Sequence, residues 1–243
     1  MKIGLAIAAT LGTASAAVAG GPAMTGFHQF AARGDLVEIR KPLWMDGKLR
    51  VGSATGTVKR RAMGQERTLA SPYTDYSAVA RYGRVTFSVT GAEVGGTLSG
   101  ECSYGRTERR MSDGRVTSSQ PVAPLGFTCE FQRDGRPSGR LWLAADLQPE
   151  RLVQPTVRIG EVEVGGTRLR LRSAHDMGKG KVPVETPIGY WLDDQQGLPV
   201  AALDTNGLTR ARLALPRDPA QRDAALAAGL AIATFWDPGD TDD

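Results

Sequence analysis

At 243 residues, with 41% hydrophobic residues and a net charge of +4, the chain is long enough to bury its own core without a framework of metals or many disulfides. Its charges are scattered, and the densest basic cluster, VKRRAMGQER, lacks the interleaved aromatics of a nucleic-acid surface, so no nucleic-acid partner is expected. Lys59, Arg60 and Arg61 within that cluster read as a solvated turn or strand end.

In chain order, residues 1–19 come first. One Lys, an apolar stretch from Ile3 to Leu11 and the triplet Ala17-Val18-Ala19 have the layout of a secretory signal peptide. The apolar part is shorter than a membrane span of about 20 residues. The mature chain is therefore expected to begin near Gly20, to be secreted and periplasmic, and to have no transmembrane span. Residues 25–236 carry no linker and no clear repeat, so one β-rich domain is predicted, followed by an acidic flexible tail at 237–243.

Within the domain, strands and turns follow one another. LVEIRK and LRVGSATGTVKR are strand candidates, and RVTFSV alternates strictly, with Val85, Phe87 and Val89 on one face. PYTDYSAVARYG, carrying Tyr73, Tyr76 and Tyr82, reads as a loop covering one end of the fold. Cys102 in TLSGECSYG and Cys129 in LGFTCEF are the two cysteines, and an even pair outside the cytoplasm predicts one disulfide closing a hairpin around a long Ser-rich loop. GRLWLAAD adds a strand, and GEVEVGGTRLRLRS gives a hairpin turning at Gly165-Gly166. The glycine and aspartate turns have the rhythm of an antiparallel barrel or sandwich. Trp44, Trp142, Trp191 and Trp236 read as core at strand and helix positions.

The stretch after Arg172, RSAHDMGKGKVPVETPIGYW, is the most varied chemically. Ser173, His175, Asp176, Lys179, Lys181 and Glu185 make it the candidate binding loop, because function concentrates on loops held by a rigid scaffold. A hydrolase-type site would use His175 and Asp176, but no nucleophile elbow accompanies them, and adjacent strand residues point to opposite faces. With two histidines after the leader, His28 and His175, and no H-x-x-x-H spacing, neither a metal nor a cofactor is predicted.

One segment reads as helix. Asp218 is placed as N-cap and Pro219 as the first helical residue, and Ala224 to Trp236 is apolar on every side until Asp237-Pro238-Gly239 stops it. A helix apolar all round lies in a core or a membrane, and thirteen residues at 1.5 Å each reach only about 20 Å. A buried core helix is predicted, which leaves no vacant interior for a ligand-carrying barrel.

The text YWLDDQQGLPVAALDTNGLTRARLALPRDPAQRDAALAAGLAIATFW, about residues 189–236, resembles the tubby C-terminal-like superfamily, which includes phospholipid scramblases and LURP-one-related proteins. The resemblance implies an antiparallel barrel filled by its C-terminal helix. In scramblase-like proteins an acidic, Asn-containing segment before the last strand is proposed to bind calcium, and Asp204 and Asn206 fall at that place. The fragment D-x-N supplies few of the six to eight oxygens calcium takes, and Asn206-Gly207 is good turn chemistry. With a full structural plan and no catalytic constellation, the expected function is a non-catalytic binding or accessory protein of a bacterial-type cell envelope. Its partner would be an envelope protein, a lipid headgroup or a polymer.

Overall fold

The computed structural model describes residues 24–43, 46–69, 75–112, 117–146, 157–176, 184 and 186–235. The leader at 1–19, Trp44, Tyr73, Lys179, Lys181, Glu185, Trp236 and the tail at 237–243 lie outside them.

Twelve antiparallel strands close into a barrel, and a C-terminal helix lies inside it. The strands are β1 Asp35–Arg40, β2 Gly47–Val51, β3 Ala54–Leu69, β4 Asp75–Gly91, β5 Gly96–Ser112, β6 Thr117–Arg133, β7 Arg136–Ala145, β8 Arg158–Val164, β9 Thr167–Ala174, β10 Gly189–Asp193, β11 Pro199–Asp204 and β12 Arg210–Leu215. Each pairs with its neighbour in sequence, and β1 pairs with β12 over Asp35↔Leu215 to Arg40↔Arg210, which closes the ring. A closed ring leaves no sandwich edge, and the sandwich alternative is thereby removed.

Alternation decides which way each strand faces. In β9, Leu169 and Leu171 are buried while Arg168, Arg170 and Arg172 are not, and Val162 and Val164 of β8 continue the inward row. Gly165 and Gly166 turn this hairpin at φ of 58° and 82°, values that L side chains disfavour. Gly100 meets a different need: a Cβ there would sit 2.5 Å from the Phe87 ring. The apolar rows point inward and, Arg60 and Arg158 apart, most of the described arginines outward, the reverse of a lipid-facing barrel. Among the described residues no helix is long and apolar enough to cross a membrane.

The central helix, α2, runs Pro219–Thr234. Asp218 caps it, its carboxylate accepting from the Gln221 N–H at 2.9 Å, with Pro219 at the first turn. Every residue from Ala224 to Thr234 is buried, and the run of alanines lets the surrounding strands approach closely. The helix stops at Thr234, two residues short of the expected Trp236, and Phe235 packs on Tyr104 and Phe127 at ring distances of 5.4 and 4.6 Å. Its N-terminal end is tied to the wall by Arg222 to Asp35 at 2.7 Å and by Asp223 to Arg133 at 3.2 Å.

At its other end the helix corrects the reading of the basic cluster. Arg60 lies in the middle of β3, is 5% exposed, and donates from Nε to the Thr234 carbonyl at 2.7 Å. A guanidinium at a helix C-terminus satisfies an orphan carbonyl and complements the dipole. Burial pulls the Arg60 pKa down, opposed by the charges of Asp46 and Tyr104, and burial also raises that of Tyr104. Arg60→Met is therefore expected to cost about 1–3 kcal/mol of stability, whereas Lys59→Ala stays within about 0.5 kcal/mol. Thermal unfolding of the two variants side by side measures the difference.

Three further expectations change. The segment between the cysteines is not a long loop: β5 runs to Ser112 and β6 resumes at Thr117, paired from Cys102↔Cys129 to Ser112↔Thr117 with register shifts on either side of Thr107. Tyr76 and Tyr82 lie in β4 rather than in a loop, both more than 40% exposed. Trp142, expected in the core, is 44% exposed on β7. A second helix, α1 (Phe27–Ala31), packs Phe27 with Met24, Ile188, Ala202 and Ala214 on the outside of the barrel, while Phe30 meets Trp191 edge-on at 5.2 Å. The disulfide is present as predicted, joining Cys102 to Cys129 inside the barrel.

Candidate functional site

Along β9 the inward row continues past Leu171 to Ser173 and then His175, just beyond the strand's end. The two side chains are i and i+2 on one face, and the structure brings them together: Ser173 Oγ lies 2.9 Å from His175 Nε2. His175 Nδ1 lies 2.8 Å from the Val184 carbonyl oxygen. A carbonyl only accepts, so Nδ1 carries the proton; in the neutral form of the ring Nε2 then accepts from the Ser173 hydroxyl. The same hydroxyl oxygen accepts the Arg158 N–H at 2.9 Å from the adjacent strand. Arg158 and Tyr190, on the flanking strands, are both buried and joined by Nη1 donating to the phenol oxygen at 3.2 Å.

Asp176 turns away. His175 is 8% exposed and Asp176 is on the surface, as neighbouring residues of an extended chain require. What holds Asp176 in place is its backbone: Thr25 donates to the Asp176 carbonyl from both N–H and Oγ1, at 2.9 and 3.1 Å. The expected loop therefore divides. Ser173 and His175 converge, Asp176 joins the N-terminal segment, and Lys179, Lys181 and Glu185 lie outside the described residues.

Beside these residues is a cavity of about 320 Å³ lined by Thr25, Arg172, Ser173, His175, Asp176 and Trp191. Arg172 lies over the Trp191 ring at 5.5 Å and binds Asp193 with Nε at 2.6 Å and Nη2 at 3.3 Å. Trp191, read from sequence as core, is instead half-buried in the cavity wall, and Thr25 and Arg158 were not singled out from sequence. Only for Ser173 was there a signal, its i, i+2 relation to His175 on an alternating strand.

Chemically, the cluster contains a hydroxyl bonded to an imidazole whose other nitrogen is oriented by an acceptor, the arrangement of a nucleophile and its base. It is equally a clasp, since it ties β8, β9 and the Val184 backbone to one another. The Asp204–Asn206 fragment is a turn: the Asp204 carboxylate accepts the Asn206 N–H at 3.0 Å and pairs with Arg212 at 2.5 Å. Among the described residues no three His, Cys, Asp or Glu side chains converge as metal ligands. Comparison of the chain with protein-family models, curated proteins and solved structures finds no match.

Proposed function

We propose that this chain is a secreted, periplasmic, non-catalytic binding or accessory protein of the cell envelope. The observation that carries this reading is the central helix. With Ala224 to Thr234 filling the barrel, a ligand has no lumen to enter, and binding falls to the outer surface and the rims. The disulfide and the signal-like residues 1–19 support the compartment. A closed barrel around its own C-terminal helix is also what the tubby-like resemblance implies, and supports a place in that superfamily.

The second reading, a hydrolase, is favoured by one contact, Ser173 Oγ to His175 Nε2. It would use Ser173 as nucleophile and His175 as base, with Asp176 outside the pair. Against it, the Ser173 oxygen already accepts the Arg158 N–H and sits in a strand ladder rather than on an exposed turn. The two readings predict different outcomes. As a clasp, His175→Ala is expected to cost about 1–3 kcal/mol of stability by leaving the Val184 carbonyl and Ser173 without their partner. Asp176→Ala, whose side chain makes no such tie, is expected to cost less than about 0.5 kcal/mol. Ester and amide substrate panels are expected to show no turnover above buffer. Turnover lost in Ser173→Ala with unchanged thermal stability would install the hydrolase reading instead.

A further inference from the structure

Four strands are far longer than the barrel needs. β3, β4, β5 and β6 span 16, 17, 17 and 17 residues, and β2 pairs with β3 only from Val51↔Ala54 to Gly47↔Val58. Beyond Val58 the four continue together as a sheet projecting from the rim, paired out to Leu69↔Tyr76, Asp75↔Ser112 and Ser112↔Thr117. A projecting sheet has two edges. On the β6 side, where β7 pairs only from Gly126 onward, Pro121 and Pro124 interrupt the row of N–H groups. The β3 side has no proline.

The orientation of that edge follows from Arg60. Its N–H donates to Asp46 Oδ1 at 2.9 Å and its carbonyl accepts from Arg61 Nη1 at 2.9 Å, so both backbone groups point away from β4. Strand alternation then directs the N–H and C=O of Ala62, Gly64, Glu66 and Thr68 outward as well, and all four residues are exposed. Among the described residues nothing pairs with them. The Asp46–Arg61 clip marks where internal pairing stops. From Ala62 to Thr68 the open ladder is about 20 Å long, room for a strand of about seven residues.

The face beside this edge is basic and apolar together. Arg61, Met63, Gln65 and Arg67 share it by alternation, with Tyr82 opposite Met63, Ala78 opposite Arg67 and Arg109 opposite Ala78. Met63 is 54% and Tyr82 43% exposed. From the row Arg61–Arg84–Ser103 outward this face carries no acid across β3, β4 and β5, Glu101 standing one row nearer the barrel, and among the described residues Arg67, Arg84 and Arg109 have no ion pair.

We propose that the β3 edge from Ala62 to Thr68 receives an extended segment of a partner protein as an added strand. That segment carries an acidic side chain facing Arg67 and an apolar one, four residues away on the same face, against Met63, with Tyr82 behind it on β4. Main-chain hydrogen bonds supply the affinity and the arginine–methionine pattern the selection. Like charge on the projection opposes pairing with a second copy. This names the surface and partner class for the binding-module reading and rests on it.

The test is selection of random short peptides displayed on phage against the oxidised full-length chain, followed by amide hydrogen exchange with the strongest synthetic peptide. Recovered sequences are expected to alternate, with Glu or Asp four residues from an apolar position, and to protect the amides of Ala62, Gly64, Glu66 and Thr68. Gly64→Pro removes an outward N–H and is expected to weaken binding by about tenfold or more. Arg67→Glu, on the exposed face, keeps the fold and is expected to turn selection toward basic peptides. The proposal fails if recovered peptides show no acidic bias or protect other residues. It also fails if these amides are already protected in the free chain and released when the four aspartates of 237–243 become asparagine. Protection that grows with protein concentration as a dimer forms would overturn it, as would edge shifts caused by anionic vesicles but by no peptide. Each of these leaves the binding-module reading standing. That reading fails separately, on turnover dependent on Ser173 and His175, which Arg67→Glu would not touch.

Discussion

Leu230→Asp is expected to leave no soluble folded chain. Leu230 is fully buried in the C-terminal half of α2, with strands on all sides of it. The substitution forfeits the burial of a leucine side chain, about 2–3 kcal/mol, and places a carboxylate among buried apolar side chains. An unpaired buried charge costs several kcal/mol more, or drives the group to take up a proton at a similar cost. The sum reaches the whole stability of an ordinary domain, about 5–15 kcal/mol. Leu230→Ala gives the graded control: it removes volume without charge, is expected to cost about 2–5 kcal/mol, and should still fold. Circular dichroism and soluble yield read the first variant, denaturant unfolding the second. A soluble Leu230→Asp protein with near-native unfolding would place α2 at the periphery and remove the argument that the lumen is filled.

The same helix shows why much of the architecture could be read in advance. Its Asp-Pro start and all-round apolar composition are local signals, as are the alternation of Val85, Phe87 and Val89 and the glycine pair at 165–166. Each is written within a dozen residues of sequence, so tertiary context is not needed to see it. The projecting halves of β3 to β6 carry no such signal. Residues 61–68 are exposed on both faces, and a strand that buries neither face has no reason to alternate. Their polar composition imitates a loop, and only the pairing of four strands reveals otherwise. The helix α1 was missed for the opposite reason: five residues are too few for a period, and it is held by Phe27 and Phe30 packing on a wall assembled from distant strands.

Arg60 and the Ser173 cluster set the limit for sites. In KRR the middle residue looks like its neighbours, and what distinguishes it is the carbonyl of Thr234, 174 residues away in sequence. Ser173 and His175 were named together as loop residues, and their spacing allowed a shared face. Their hydrogen bond, however, depends on the chain leaving β9 so that Val184 returns to hold the ring. Asp46 is similar. It draws its carboxyl below the usual 3.8 mainly through the Arg60 N–H, then through the Arg61 guanidinium. Because its folded pKa is depressed, the stability it contributes is present above pH 3.8 and is lost as the pH falls through the lower folded value. A carboxyl titration of the folded chain by NMR should show Asp46 below that value, and Arg61→Ala should bring it partway back.

Cys102→Ala/Cys129→Ala is expected to lower stability by about 3.5 kcal/mol, from the 27-residue separation of the two cysteines in the chain-entropy relation. The bond joins directly opposed residues of β5 and β6 on the inward face, where Cys102 is 3% and Cys129 1% exposed. Two features act on that figure in opposite directions. The β5–β6 ladder continues on both sides of the bond, so residual hairpin in the unfolded chain would reduce the entropy gained by cross-linking. Deleting two buried sulfurs also removes packing around Phe87, whose ring lies beside Gly100 and the Cys129 sulfur, and adds to the loss. The first effect acts only through the unfolded state and the second only through the folded one, so they separate experimentally. Reducing the wild-type chain deletes the cross-link but keeps the sulfurs in place, and the difference between reduced wild type and the double alanine variant is the packing contribution. For a domain of this size each kcal/mol moves the thermal midpoint by about 2–4 °C, so a fall of about 7–14 °C is expected for the double variant. A fall under about 2 °C would mean that β5 and β6 meet before the rest of the barrel closes. The projecting sheet they build would then fold as a unit independent of the bond.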